Sequence, residues 1–345
     1  MTSTPAEANS EQAPQTGDLK PKIIRGAILL GVLVAVAVGI LALVPGLSGV
    51  RSAITSASPA WVIAACVIQL VGVCGAVVFV QVVFDELPRR LSWWQGWGMQ
   101  GANAVLPTAG STGVSFWSVS ALGWTTYRFL ERTAVMIIAP AAPNIILIFV
   151  FGVGMGLGVL AGPSDWWLTW LPAAIALAVV VAAIAIAVWA ERLARRITNE
   201  RLAQGITIVA TGVPGTVAIL RRRSSRVLGT WVDLLCAIGA LWASLIAVGD
   251  HVAFAIVAMG YLIGQFAQVI PVPGGVGTID AGVTGALVLY GAPTTITTAG
   301  ELISHGIALV VPLLTGALAF VFLPREIAKA RARRAADATA SPAPA

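Results

Sequence analysis

The sequence predicts an all-α membrane protein that crosses the bilayer about six times and carries two further helical hairpins. Hydrophobic residues make up 58% of the 345 residues and charged residues only 10%, against roughly 25% charged residues in soluble domains. Most apolar residues fall in stretches that reach the roughly 20 residues needed to span a membrane. Two similar proline- and glycine-rich runs interrupt the remaining apolar stretches.

Six continuous apolar segments have the length of a full span. They are residues 23–44, 60–84, 133–161, 168–190, 229–249 and 302–323. We therefore predict a single transmembrane domain over residues 23–324. It consists of a first half (23–190), a basic loop (191–228) and a second half (229–324).

The net charge of +6 is distributed as membrane topology requires, and no nucleic acid partner is expected. Of the 21 Lys and Arg residues, only Arg51 falls on the other side of six alternating spans. Cytoplasmic loops collect Lys and Arg, so we predict a plasma (inner) membrane protein with cytoplasmic tails at 1–22 and 325–345. Both tails are expected to be disordered. The eight arginines of loop 191–228 are expected to attract anionic lipid heads.

Two runs of the form Pro-x-x-Gly-x-x-Gly, at residues 107–113 and 271–277, interrupt the apolar stretches 91–127 and 252–291. Proline removes a backbone donor and glycine destabilises a helix. In hydrocarbon such a break is tolerated only where protein or water satisfies the freed groups. We predict two re-entrant hairpins, the first entering from the cytoplasm and the second from outside, as an inverted repeat would generate. Eight conventional spans are the alternative.

The helices that restart after the two runs are candidates for substrate binding. Their unpaired N–H groups and positive dipole ends would point toward the membrane centre, which favours an anionic group. The alternative is that nearby side chains only cap these helices. The candidate residues are Pro107, Gly110, Ser111, Thr112, Gly113, Pro273, Gly274, Gly275, Gly277, Thr278 and Asp280.

Three ionisable residues of the second half are further candidates, because such residues are costly inside a membrane. Asp280 falls in the first turn of a restarted helix, where capping is the alternative role. Glu301 and His305 are spaced i, i+4 and share a helix face. The three residues could form a proton relay, or the last two could be an interfacial pair at the outer surface. The chain has only two histidines, and we predict neither a metal site nor a cofactor.

Arg128 and Arg132, before the third span, are candidates to clamp a lipid phosphate, because guanidinium groups bind phosphate in a bidentate way. The alternative is a local ion pair that also involves Glu131. Asp233 is a candidate partner for one of these arginines or for the cluster Arg221–Arg226.

The run IPVPGGVGTIDAG, within residues 265–320, resembles the membrane domain of the lysylphosphatidylglycerol synthase family. NAVLPTAGSTG resembles the first break of that family, and the likeness covers roughly residues 23–324. In the bifunctional members of that family this domain is viewed as a flippase for aminoacylated phospholipid, and a separate soluble domain performs aminoacyl transfer. The resemblance therefore implies lipid translocation or lipid binding here, and it does not imply aminoacyl transfer. Relatives often carry charged residues after the first glycine run, whereas residues 111–120 are neutral here, and they usually have Glu at the position of Asp280.

Together these features predict a lipid translocase that works without ATP, since the sequence contains no Walker loop. Its expected substrate is a membrane phospholipid or a polyprenyl-linked lipid with an anionic or lipid-linked headgroup. No catalytic residues are predicted, so a transporter is favoured over an enzyme. The alternatives are a membrane-embedded transferase that uses a lipid-linked donor and a non-catalytic scaffold for envelope synthesis. A homo-oligomer is compatible with the sequence.

Overall fold

The computed structural model describes residues 48–106, 109–194, 212–218, 225–266 and 277–340, and every regular element within them is helical. The α-helices are α1 (Ser48–Thr55), α2 (Pro59–Val83), α3 (Arg89–Val105), α4 (Ala109–Ser120), α5 (Thr126–Gly156), α6 (Trp166–Ala194), α7 (212–218), α8 (Gly229–Ala247), α9 (Phe254–Gly264), α10 (Thr278–Leu289) and α11 (Thr294–Ala340). A short 3₁₀ helix (Ser225–Leu228) leads into α8.

Five helices of the described part are long and apolar enough to cross a membrane: α2, α5, α6, α8 and α11. They coincide with the second to sixth predicted spans, so the all-α polytopic fold class is confirmed. The first predicted span, 23–44, lies outside the described residues.

The two stretches around the proline- and glycine-rich runs form pairs of shorter helices. α3 has 17 residues and α4 has 12, while α9 has 11 and α10 has 12. Within each pair the two helices pack against each other. At about 1.5 Å per residue, a 12-residue helix is about 18 Å long, well short of the roughly 30 Å hydrocarbon core.

Two glycine pairs let the long helices approach each other closely. At the crossing of α2 and α8, a Cβ atom added to Gly75 would lie 2.7 Å from the carbonyl oxygen of Gly229. At the crossing of α3 and α11, a Cβ atom added to Gly101 would lie 2.6 Å from the Cα atom of Gly316. Small residues at such crossings are typical of membrane proteins, because close packing replaces the hydrophobic effect as the main attraction between helices.

The largest buried cluster joins the first hairpin to α2, the start of α5 and the last part of α11. Phe79, Leu91, Phe129 and Leu323 are among its buried side chains. The first hairpin is therefore packed between two spans and the beginning of a third.

Helix α11 continues to Ala340, so residues 325–340 of the predicted basic tail are helical. The last predicted span ends just before Pro324, but this proline does not end the helix. Ile327 and Ala330 are buried in the cluster described above, and the Arg331 Nε donates a hydrogen bond to the Ala121 carbonyl oxygen at 3.1 Å. These contacts with the first hairpin stabilise the extension.

Candidate functional site

The second helix of the second hairpin begins at a turn that Asp280 caps. Gly277, the residue before α10, has φ +87°, a left-handed conformation that glycine adopts at little cost. Its backbone N–H donates a hydrogen bond of 2.7 Å to the Asp280 Oδ2. The carboxylate therefore satisfies one of the four N–H groups that a helix start leaves unpaired, as in a capping box.

The other oxygen of the same carboxylate reaches the last span. Asp280 Oδ1 lies 2.6 Å from His305 Nδ1 on α11. Glu301, one turn earlier on α11, is only 4% exposed. The nearest carboxylate and imidazole atoms of the three residues all lie within 4.8 Å of one another. We call Asp280, Glu301 and His305 the acid–histidine cluster.

Further polar side chains continue this face of α11. Thr297 is fully buried, and its hydroxyl has no hydrogen-bond partner among the described residues. It lies one turn before Glu301, so the two residues share a helix face with His305. Ser304, beside His305 in the sequence, is also buried. An apolar span thus carries a buried polar stripe on the side where the cluster lies.

At the first break the structure shows tight packing of α3 against α4. The Gly110 N–H donates to the Leu106 carbonyl oxygen at 2.7 Å, and a Cβ atom at Gly110 would collide with the Ala102 backbone. Thr112 and Ser111 lie in the first turns of α4 and are partly buried, as is Gly113.

Four predicted site residues cannot be placed at either break. Pro107, Pro273, Gly274 and Gly275 lie outside the described residues. Thr278 begins α10 beside Gly277 and is partly buried. The predicted binding of an anion at the helix starts therefore stays a prediction.

Arg128 and Arg132 form ion pairs with acidic residues of the loop between α2 and α3. Arg132 lies 2.7 Å from a Glu86 oxygen and 3.6 Å from an Asp85 oxygen. Arg128 pairs with the second Glu86 oxygen, and its guanidinium lies 4.5 Å from the centre of the Trp124 ring. The expected local ion pair thus uses acids about 45 residues earlier, and these arginines fix α5 against the α2–α3 loop.

A cavity of about 660 Å³, which was not predicted from the sequence, lies between α5, α6, α8 and α9. Most of its wall is apolar, and the polar residues that line it are Asn144, Thr230, Asp233, Tyr261 and Gln265. Lining residues such as Leu171, Ile175 and Phe266 are also exposed. Within the described part of the chain, the cavity therefore opens toward the side of the helix bundle. We call it the lateral cavity.

One hydrogen bond ties the second hairpin to the wall of the lateral cavity. Pro172, within α6, has no N–H and leaves the carbonyl oxygen of Leu168, four residues earlier, without its helical donor. The hydroxyl of Tyr290, at the end of α10, donates to this oxygen at 2.6 Å. Neither residue was a site candidate, although a proline inside a span signals a free carbonyl four residues before it.

A comparison with known protein families gives a match over most of the chain. The family model described as "Lysylphosphatidylglycerol synthase TM region" matches residues 28–316, which include the lateral cavity and the acid–histidine cluster. No curated protein matches the chain.

Proposed function

Because this chain belongs to the family of the lysylphosphatidylglycerol synthase transmembrane region, we propose that it moves lipids between the two membrane leaflets without hydrolysing ATP. The family and the five apolar helices make it a multi-pass membrane protein of lipid metabolism or transport. Translocation itself is our proposal, and the lateral cavity is the observation that carries it.

The lateral cavity combines the two environments that a lipid needs. Its volume of about 660 Å³ falls in the range of roughly 300–1,000 Å³ typical of small-ligand sites. Apolar side chains such as Ile148 and Ile175 suit acyl or prenyl chains, while Asp233, Tyr261 and Gln265 offer hydrogen bonds to a headgroup. A side opening would let a lipid enter from the bilayer without leaving its hydrophobic surroundings.

The helix contacts support an inverted repeat, which alternating access in transporters commonly uses. α3 of the first hairpin packs on α11, and α9 of the second hairpin packs on α5. α2 and α8, the spans that precede the hairpins, pack on each other. Each contact of the first hairpin thus has a counterpart in the second, as a pseudo-two-fold axis in the membrane plane would produce.

The lengths of the helices support hairpins that turn inside the membrane. Asp280 lies in the first turn of α10 (Thr278–Leu289), nine residues or about 14 Å from the other end of that helix. His305 lies 11 residues after the start of α11, or about 16 Å. If both outer ends lie at the membrane surface, these residues meet near the middle of the roughly 30 Å core.

We propose a substrate whose headgroup carries a phosphate and hydrogen-bond donors, as both phospholipids and polyprenyl-linked lipids can. The helix starts at the two breaks would interact with the phosphate, and Asp233 would accept hydrogen bonds from the rest of the headgroup. We also propose cytoplasmic termini in the inner membrane, with loop 191–228 against anionic lipid heads.

The test is lipid movement in proteoliposomes that contain the purified protein and no ATP. Separate preparations carry labelled phosphatidylglycerol, an aminoacylated phospholipid or a polyprenyl phosphate, and accessibility of the label in each leaflet is followed over time. We expect faster exchange than in protein-free liposomes for at least one lipid, which would also identify the substrate class. Exchange at the protein-free rate for all three would contradict the proposal.

A further inference from the structure

We infer that the acid–histidine cluster is a binding site for an exchangeable proton, and that this proton controls how the second hairpin is attached to α11. The inference deepens the proposed function, on which its transport readout rests. Its structural readouts are independent of lipid movement.

The two oxygens of the Asp280 carboxylate contact two different elements. Oδ2 accepts the N–H of Gly277 at the tip of the hairpin, at 2.7 Å, and Oδ1 lies 2.6 Å from the imidazole of His305 on the last span. A single carboxylate thus joins the turn before α10 to α11. A change of charge on either partner alters both the helix cap and the contact between the two elements.

The spacing within the cluster fits a proton rather than a metal ion. Two ligands about 2.1 Å from one tetrahedral zinc ion lie roughly 3.4 Å apart. The Asp280 and His305 atoms are only 2.6 Å apart, which is the length of a short charge-assisted hydrogen bond.

Charge counting shows why the cluster should hold protons. With both carboxylates ionised and the imidazole neutral, Asp280, Glu301 and His305 carry a charge of about −2, which is costly at membrane depth. One proton on His305 gives the ion pair with Asp280, and a second on Glu301 makes the cluster neutral. Release of either proton leaves an unbalanced negative charge beside the hairpin tip, and the protons belong to the cluster as a whole.

The surroundings contribute few charges that could balance this change. Among the described helices that pack on α11, α8 contributes Asp233 and α10 contributes only Asp280. The charged residues of α1, α2 and α3 are Arg51 and the pair Arg89 and Arg90. The latter pair is at the start of α3, near the stacked rings of Trp94 and Phe322, far along α11 from the cluster.

Two other groups complete the environment. Tyr261, on α9, lines the lateral cavity together with Asp233. The buried hydroxyl of Thr297, which has no partner among the described residues, lies one turn from Glu301 toward the start of α11. It is suited to pass a proton between the cluster and that end of the helix.

The first experiment is an infrared pH titration of the carboxyl bands of the full-length protein in lipid nanodiscs. We expect a protonated carboxyl that titrates in the wild type and is lost in Glu301→Gln, with a shifted titration in His305→Gln. Burial raises the pKa of Asp250, in the turn after α8, so its carboxyl band must be distinguished from that of Glu301. The variants Asp250→Asn and Asp233→Asn identify the infrared bands of these two aspartates. The same titration in all four variants would overturn the inference.

The second experiment measures hydrogen exchange of the backbone amides at the start of α10, which we call the hairpin tip. We expect the exchange rate of the amides at 277–281 to change with pH in the wild type, beyond the intrinsic effect of pH, and to lose this change in His305→Gln. Asp280→Glu, which keeps the charge, guards against a folding defect of Asp280→Asn. Exchange at the tip that follows only the intrinsic rate would overturn the inference, as would stoichiometric zinc binding that His305→Gln abolishes.

Transport separates this inference from the proposed function. In proteoliposomes with a pH gradient, we expect the rate of lipid exchange to depend on the gradient in the wild type and to lose that dependence in His305→Gln. Lipid exchange that ignores the gradient in the wild type would refute proton control and leave translocation standing. A titrating cluster in a protein that moves no lipid would refute translocation and leave the proton site standing.

Discussion

Asp280 shows how one side chain can serve both the fold and a function. Its carboxylate caps α10 through the Gly277 N–H and pairs with His305 across a separation of 25 residues. A partly buried charged group is costly unless it is paired or hydrogen-bonded, and both oxygens of Asp280 have partners. Capping and ion pairing are therefore compatible roles of the same residue.

The turn that precedes α10 gives a prediction at a single glycine. Gly277→Ala should lower the free energy of unfolding by about 1–2 kcal/mol, because φ +87° is strained for a residue with a Cβ atom. Gly285→Ala is the matched control, since this glycine is exposed within α10 and has no neighbour within 4 Å of an added Cβ. It should be neutral or stabilise by up to about 1 kcal/mol. Unfolding in detergent, followed by circular dichroism, measures the free energy of unfolding of both variants. Equal changes would contradict a positive φ angle at Gly277.

At this scale the sequence predicts local relations better than distant ones. The i, i+4 spacing placed Glu301 and His305 on one helix face, and the position of Asp280 indicated a cap. The contact between Asp280 and His305 depends on how the hairpin packs on α11, which no local pattern encodes. Similarly, a local ion pair is the alternative role that the sequence offers for Arg132, but its partners Asp85 and Glu86 belong to a distant loop.

Among the elements, α6 and α10 are linked by the hydrogen bond from Tyr290 to the carbonyl that Pro172 leaves free. Tyr290→Phe should lower the free energy of unfolding by about 1–3 kcal/mol, because the buried Leu168 carbonyl loses the hydrogen bond from the tyrosine hydroxyl. In a Pro172→Ala background the backbone N–H restored at position 172 can donate to the Leu168 carbonyl instead, so the same substitution should cost much less. A double-mutant cycle on unfolding free energies measures this coupling. Additive effects would show that the proline and the tyrosine act independently.

The crossing of α3 and α11 depends on the absence of side chains. A Cβ atom at Gly316 would collide with the backbone of Gly101, so Gly316→Ala should destabilise the protein by about 1–3 kcal/mol, as overpacking does. Gly306→Ala, an exposed position on the same helix with no atom within 4 Å of the added Cβ, should be nearly neutral or slightly stabilising. Melting temperatures in one detergent compare the two, and similar temperatures would argue against close packing at this crossing.

The elements themselves could be predicted in type and order, because apolar length and helix breakers are local properties. Five predicted spans agree with α2, α5, α6, α8 and α11. The extension of α11 could not be predicted, because Ile327 and Ala330 are buried by contacts with the first hairpin, and the local sequence does not reveal these contacts. The lateral cavity was missed for a similar reason, because its walls come from four separate helices.

For the whole molecule, the proposed topology makes a direct prediction about surface accessibility. Cys66, Cys74 and Cys236 are replaced by alanine, and single cysteines are introduced at the exposed positions Ser164 and Ala328. A membrane-impermeant reagent added to intact cells should label Ser164→Cys and not Ala328→Cys, because basic segments stay in the cytoplasm. Inside-out vesicles should give the opposite pattern. Labelling of both positions from the same side would contradict the proposed topology.

The two halves of the molecule are alike in their helix contacts and different in their chemistry. The second hairpin meets its neighbouring span through Asp280 and His305, whereas the first meets α5 through the rings of Phe116 and Phe129, 5.1 Å apart. A polar contact that changes with protonation and an apolar contact that does not would allow the second hairpin to move while the first stays fixed. In the proposed translocation, the two hairpins would therefore respond differently to protonation, which two identical halves would not do.

The most direct test of lipid translocation through the lateral cavity is the exchange rate in proteoliposomes when the cavity is filled. Ala237 lines the cavity, and Ala182 is an exposed residue of α6 outside it. We predict that Ala237→Trp slows lipid exchange at least about tenfold, equivalent to about 1.4 kcal/mol in activation free energy, while Ala182→Trp leaves it near the wild-type rate. Wild-type exchange by a folded Ala237→Trp protein would contradict a lipid path through this cavity.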